Sequence, residues 1–115
     1  MLLVDDIPSE MQYVTGILHD LGVEVKVVTS SRDAFSELGQ HPYGVIVSDM
    51  RRDSIPDEGL RFLNWIRRER VYQPTIFTVG RYEPNRGTPA YAFGITNRVD
   101  ELLNLLFDVF ERVRG

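Results

Sequence analysis

The sequence predicts an α/β fold: a five-stranded parallel sheet flanked by helices on both faces. Three observations predict it. Short apolar runs alternate with amphipathic helical stretches along the whole chain. One run, Gly44-Val45-Ile46-Val47-Ser48-Asp49-Met50, lacks polar alternation, as expected of a central strand buried on both faces. That run stops at a carboxylate, Asp49. Two other strands also end in polar side chains: Leu2-Leu3-Val4 runs into Asp5-Asp6, and Thr75-Ile76-Phe77 runs into Thr78. In open α/β sheets ligands bind just beyond the carboxyl ends of the strands. Three carboxylates and a hydroxyl are therefore expected to meet at one edge of one sheet.

Each element has its own signal. Met1 to Val4 is a very short first strand. Pro8 suits a first helical turn, and Met11, Val14, Ile17, Leu18 and Leu21 follow at helical spacing. Gly22 ends that helix. Val23 to Val28 alternates and reads as an edge strand, with Lys26 pointing to solvent. Ser30 or Ser31 caps a second helix holding Ala34, Phe35 and Leu38, closed by Gly39. After Asp49 comes a polar loop with Arg51, Arg52, Asp53 and Pro56. A third helix runs from about Glu58 to Arg70 and buries Leu60, Phe62, Leu63 and Ile66, with Trp65 at the edge of that face. Thr75 to Val79 is the fourth strand. Between Gly80 and Pro89 a helix is expected, yet Pro84, Gly87 and Pro89 oppose a regular one, so it should be short or broken. Tyr91 to Ile95 is the fifth strand. Asn97 caps the last helix, with Asp100 in its first turn. Its core stripe is Val99, Leu102, Leu103, Leu106, Phe110 and Val113. Leu105, Phe107 and Val109 flank the stripe and widen the apolar arc. An exposed apolar flank suggests a partner surface, so a homodimer through the last helix is expected.

Composition bounds the function. The chain has 115 residues, which suits one domain over 1–115, able to bury roughly 65% of its unfolded surface. It has no cysteine, which excludes disulfides, thiolate metal sites and a thiol nucleophile. The net charge is −4, which gives no support for nucleic-acid binding. No apolar run reaches membrane-span length and no leader pattern is present, so a cytoplasmic location is expected. Lys26 is the only lysine among the 13 basic residues; all the others are arginine. No G-x-G-x-x-G or G-x-x-x-x-G-K-[ST] is present. His19 and His41 read as ordinary residues.

Three carboxylates within reach of one another do not stay ionised and close without a cation. All-oxygen ligation with few protein ligands suits Mg²⁺. The residues thus point to a small Mg²⁺ site that also orients a phosphoryl group for attack by a carboxylate. Taken singly, each residue has a plainer reading: Asp5-Asp6 as helix capping, Asp49 as a loop start, Thr78 as a β-branched strand residue.

At Val4-Asp5-Asp6, Val47-Ser48-Asp49 and Thr78 the chain resembles the receiver domains of the two-component response-regulator family, the CheY-like phosphoacceptor module. The resemblance covers nearly the whole chain and implies a flavodoxin-like sheet. It also implies roles. Asp49 is the phosphoacceptor, receiving its phosphoryl group from a histidine kinase or phosphotransfer protein in a Mg²⁺-dependent reaction, and it also ligates the metal. Asp6 is a direct Mg²⁺ ligand, Asp5 acts through water, and the backbone carbonyl of Arg51 completes the protein ligands. Thr78 supplies the hydroxyl that reports occupancy. Such a module is not a metabolic enzyme.

The chain departs from the family pattern. The family's lysine at the end of the fifth strand, followed by proline, is missing; Thr96-Asn97-Arg98 stands there. Arg98, or less well Arg81, is the candidate replacement, against the plainer reading of Arg98 as a solvated arginine in a helix's first turn. The loop after Asp49 is longer than usual, and Arg51 and Arg52 in it read as solvated side chains, as a gate or as a contact for the kinase. The missing lysine keeps an alternative open, a pseudo-receiver acting as a phosphorylation-independent protein-interaction module. A stand-alone receiver and a piece of a larger regulator remain equally open.

Overall fold

The computed structural model describes residues 1–50, 52, 55–79 and 92–112 in full, and the backbone of 113 and 114. The expected broken helix between Gly80 and Pro89 lies outside the described residues. So do Arg51, Arg81 and the start assigned to the fifth strand, Tyr91.

The strands are β1 (Leu2–Val4), β2 (Lys26–Val28), β3 (Ile46–Asp49), β4 (Thr75–Thr78) and β5 (Gly94–Thr96). They form one sheet in the order β2-β1-β3-β4-β5, with every pairing parallel. The order reverses between β1 and β3, so the switch point of this doubly wound sheet lies at their carboxyl ends. The helices are α1 (Gln12–Asp20), preceded by a 3₁₀ turn over Pro8–Met11, α2 (Ser31–Gln40), α3 (Glu58–Arg68) and α4 (Val99–Arg114). None of the described helices is long and apolar enough to cross a membrane.

Alternation along the strands sorts the core into two layers. Leu3, Val47 and Ile76 face α1 and α4, packing on Val14, Leu18, Leu102, Leu106 and Val109. Leu2, Val4, Ile46 and Phe77 face α2 and α3, packing on Ala34, Phe62, Leu63 and Ile66. Both faces of β1 and β3 are buried, as their unbroken apolar runs require.

Several boundaries differ from the sequence reading. β2 keeps only Lys26–Val28, because pairing with the three-residue β1 ends there; Lys26 is exposed, as expected. Ser30 caps α2, its hydroxyl accepting from the Asp33 amide at 3.0 Å. That helix runs through Gly39 and closes at His41. β5 lies further along than Tyr91 to Ile95, because register with β4 selects Gly94–Thr96. The Arg98 carbonyl accepts the Leu102 amide at 3.0 Å, so α4 starts after Arg98 and Asn97 is not its cap.

The apolar stripe of α4 also shifts. Leu102, Leu106 and Val109 are its buried residues, so Val109 belongs to the core. Leu105 packs where Gly94 has no side chain: a Cβ there would lie 2.9 Å from Leu105 Cδ1. Of the expected stripe, Val99 is 44% exposed, and of the expected flank only Phe107, at 42%, is strongly so.

Two helices end in the same way. Gly22, at φ 83°, follows α1, with its amide on His19 and the Val23 amide on Leu18. Arg70, at φ 62°, follows α3, with its amide on Arg67 and the Val71 amide on Ile66. Both are Schellman closures, whose left-handed residue is ordinarily glycine. Arginine in that conformation costs about 1 kcal/mol. Arg70→Gly is therefore expected to raise stability by up to about 1 kcal/mol. A urea midpoint below that of the wild type would refute it.

Candidate functional site

Register assembles the site. Val4 pairs with Ser48, which puts Asp5 and Asp6 beside the end of β3, and Asp49 pairs with Thr78. Thr78 pairs in turn with Thr96. Parallel neighbours lie about 4.8 Å apart, so Asp49, Thr78 and Thr96 form one row across three strands. One carboxylate oxygen from each of Asp5, Asp6 and Asp49 lies within 4.8 Å of the others. This is the cluster expected from the strand ends.

The backbone orients the carboxylates. The Asp6 amide donates to Asp49 Oδ2 at 3.3 Å, and the Ile7 amide donates to Asp5 Oδ1 at 2.9 Å. Asp49 is only 8% exposed. Burial pushes its carboxyl up to about 7; the nearby Arg52 charge and the Asp6 amide oppose this, while the Asp6 side chain and the Asp5 charge add to it. Burial also raises Asp5, against a lowering by the Ile7 amide. Proton affinity of this kind is what a hard divalent cation relieves. Three carboxylate oxygens with room for water suit Mg²⁺ better than a softer metal. The donor set therefore fits the ion that the resemblance implies. The Arg51 carbonyl lies outside the described residues.

The approach of α3 is close. The Gly59 amide donates to the Met50 carbonyl at 2.8 Å, and a Cβ on Gly59 would lie 2.4 Å from the Asp49 carbonyl oxygen. The helix start thus rests on the backbone that presents Asp49.

Arg52 overturns the reading of a solvated or gating side chain. It is 0% exposed. Its Nη1 donates to Asp49 Oδ1 at 2.5 Å and to Ser48 Oγ at 3.0 Å, and its Nη2 donates to Ser31 Oγ at 2.6 Å. Ser31 donates onward to Glu58 Oε2 at 3.0 Å. The guanidinium stands over the Phe62 ring, 5.5 Å from its centroid. Backbone bonds between Arg52 and Ile55 close the loop that turns it inward. The sequence signal was present but weak: arginine in a lengthened loop directly after the central carboxylate.

Arg98 pairs elsewhere. Its Nη2 lies 2.6 Å from Asp100 Oδ2 and its Nε 3.1 Å from Oδ1, on the surface. The buried end of β5 is Thr96, whose hydroxyl accepts from the Arg98 amide at 3.0 Å. A groove of about 950 Å³ lined by Met1, Thr15, His19, Val25 and Tyr43 opens at the amino ends of the strands. It faces away from the carboxylates, and strand polarity argues against it as the reactive site.

Strand order and the carboxylate cluster at the switch point define the class, a doubly wound α/β domain of the receiver type. Residues 1–100 match the family model described as the response regulator receiver domain. The chain belongs to that family and is the receiver domain of a two-component response regulator. It is 32% identical over 120 aligned residues to the transcriptional regulatory protein TrcR of Mycobacterium tuberculosis, covering all of this chain but 44% of that protein. Among solved structures it resembles the chemotaxis response regulator CheY4 of Vibrio cholerae (27% identity, TM-score 0.79, 94% of this chain and 95% of that one). In fold it also resembles the Francisella response regulator 1452 receiver domain (19%, TM-score 0.84, 97% and 96%). A third likeness of fold is to TrrA of Thermotoga maritima, solved with Mg(2+)-BeF (20%, TM-score 0.77, 94% and 96%).

Proposed function

We propose that the chain is a phosphoacceptor that takes a phosphoryl group on Asp49 from a histidine kinase or phosphotransfer protein. The observation that carries this reading is the meeting of Asp5, Asp6 and Asp49 within 4.8 Å at the switch point, with Thr78 paired beside the acceptor. A carboxylate oxygen of Asp49 attacks phosphorus, the phosphorus–nitrogen bond of the phosphohistidine breaks, and the imidazole leaves with a proton from solvent. Asp6 and Asp49 directly, Asp5 through water, and the Arg51 carbonyl would hold Mg²⁺, which would supply charge neutralisation to the phosphoryl group. The Asp6 amide holds one oxygen of Asp49 in place. Thr78 offers its hydroxyl to a phosphoryl oxygen. The Mg(2+)-BeF complex of TrrA, a protein of the same fold, supports the choice of ion.

On this reading the chain is a signalling component rather than a metabolic enzyme, and it works in the cytoplasm. Val99 and Phe107 are exposed apolar side chains of α4 that support self-association through that helix; a strict monomer in sedimentation at high concentration removes that part. A second reading, a pseudo-receiver that binds partners without phosphorylation, draws on Thr96 ending β5 in place of a cation.

Intact mass decides between them. With Mg²⁺ and a small phosphodonor, the wild type is expected to gain one phosphoryl adduct and Asp49→Asn none. A wild type that binds Mg²⁺ yet gains no adduct, from the small donor or from a histidine kinase, moves the assignment to the pseudo-receiver.

A further inference from the structure

We infer that Arg52 is the phosphoryl counter-cation of this site and that, before phosphorylation, it competes with the metal ion for Asp49. The inference rests on the phosphoacceptor reading and names the cation that serves it.

Burial is the first argument. A guanidinium removed from water is costly unless an anion answers it, and Arg52 is wholly enclosed. Asp49 is the anion it touches, at 2.5 Å. Neither Ser48 nor Ser31, its other acceptors, brings charge. Glu58 lies one hydrogen bond further on, behind Ser31. The position of Arg52 is thus set by the acceptor's charge, although the loop that carries it is not part of any strand.

The second argument is the donor that is left over. Arg52 Nε is buried and has no hydrogen-bond partner, which a native interior rarely tolerates without a reason. Guanidinium donors suit bidentate pairing with phosphate oxygens. Transfer to Asp49 moves negative charge from the carboxylate onto phosphoryl oxygens, within reach of a side chain already in contact with that carboxylate. Nη1 then exchanges the carboxylate for a phosphoryl oxygen.

The third argument is competition. In the unphosphorylated chain Asp49 Oδ1 is held by Arg52 and Oδ2 by the Asp6 amide. A cation that takes Asp49 must share or displace the Arg52 contact. Among the described residues, two other basic side chains do not fill the role: Lys26 is exposed on the outer strand β2, and Arg98 is held by Asp100.

The test uses Arg52→Ala, Arg52→Gln and Arg52→Lys in the full chain, with Mg²⁺ affinity by calorimetry and adduct formation by intact mass. The neutral variants are expected to bind Mg²⁺ at least tenfold more tightly, because a competing cation has gone. They are also expected to form the adduct at least tenfold more slowly, with Arg52→Lys recovering most of the rate. Far-UV melting shows which variants are folded, and Arg52→Gln carries the test if alanine is not. Unchanged Mg²⁺ affinity together with wild-type adduct formation in a folded neutral variant overturns the inference. So does either result alone in a folded neutral variant. If the wild type itself forms no adduct, the phosphoacceptor reading has failed, and the Mg²⁺ titrations still decide whether Arg52 competes for Asp49.

Discussion

Gly59→Ala is expected to destabilise the fold by about 3 kcal/mol or more, a large share of the roughly 5–15 kcal/mol available to a domain. The new Cβ would lie 2.4 Å from the Asp49 carbonyl oxygen, 2.9 Å from Met50 Cα and 3.0 Å from Phe77 Cε1. Two of these are backbone atoms, so no flexible side chain can yield. Either the start of α3 moves outward or the backbone presenting Asp49 moves, and the second route also weakens the metal site. At this chain length the loss corresponds to a melting temperature lower by about 12 °C. Gly16→Ala is the control: it lies in α1, is exposed, and has nothing within 4 Å of its Cβ position. There alanine is expected to stabilise by about 0.5–1 kcal/mol. Urea denaturation of both variants checks the contrast, and a Gly59→Ala midpoint equal to that of the wild type would falsify the close-packing argument.

Asp6→Asn should separate stability from metal binding. Without metal, three carboxylates crowd within 4.8 Å, and removing one charge while keeping the shape relieves their repulsion. The variant is expected to be as stable as the wild type or more so, by about 1 kcal/mol. The backbone amide that holds Asp49 is untouched. With Mg²⁺ at a hundred times its dissociation constant, the wild type gains about 2.7 kcal/mol. A tenfold weaker site in the variant reduces that gain to about 1.4 kcal/mol at the same concentration. Thermal melts with and without MgCl₂ measure both effects. Equal Mg²⁺-induced shifts in the two proteins would remove Asp6 from the ligand set.

Most of the architecture was legible because its causes are local. The unbroken run at Val45 to Val47 demanded two covered faces, and helices cover both. Helical spacing at Val14 and Leu18, and at Phe62, Leu63 and Ile66, named side chains that are buried. Gly22 announced a left-handed closure that only a residue without Cβ adopts freely. The carboxylates at the ends of β1 and β3 and the threonine at the end of β4 were visible as strand terminators. A parallel sheet sets strand ends side by side, so their meeting followed from topology.

The errors share one cause. β5 has three residues, too few for its own pattern to fix its place, and pairing with β4 moved it to end at Thr96. Val109 read as a flank of α4 because the width of an apolar arc does not say which part of it meets the sheet. Arg70 closes α3 in a glycine conformation with no glycine to signal it. Arg52 is the clearest case. Arginine in a polar loop is ordinarily solvated, and a place in the lengthened loop after Asp49 is too weak a signal to overrule that.

What the sequence determined by itself was the set of strands and helices, the burial of the central strands, and the placing of three carboxylates at one sheet edge. All of these follow from short-range periodicity and from the geometry that parallel strands impose. The cation that answers Asp49 was fixed by long-range packing alone. Ser31 from α2, Ser48 and Asp49 from β3, and Phe62 from α3 enclose one side chain. The energy that keeps a guanidinium out of water arises only when all of them are present together.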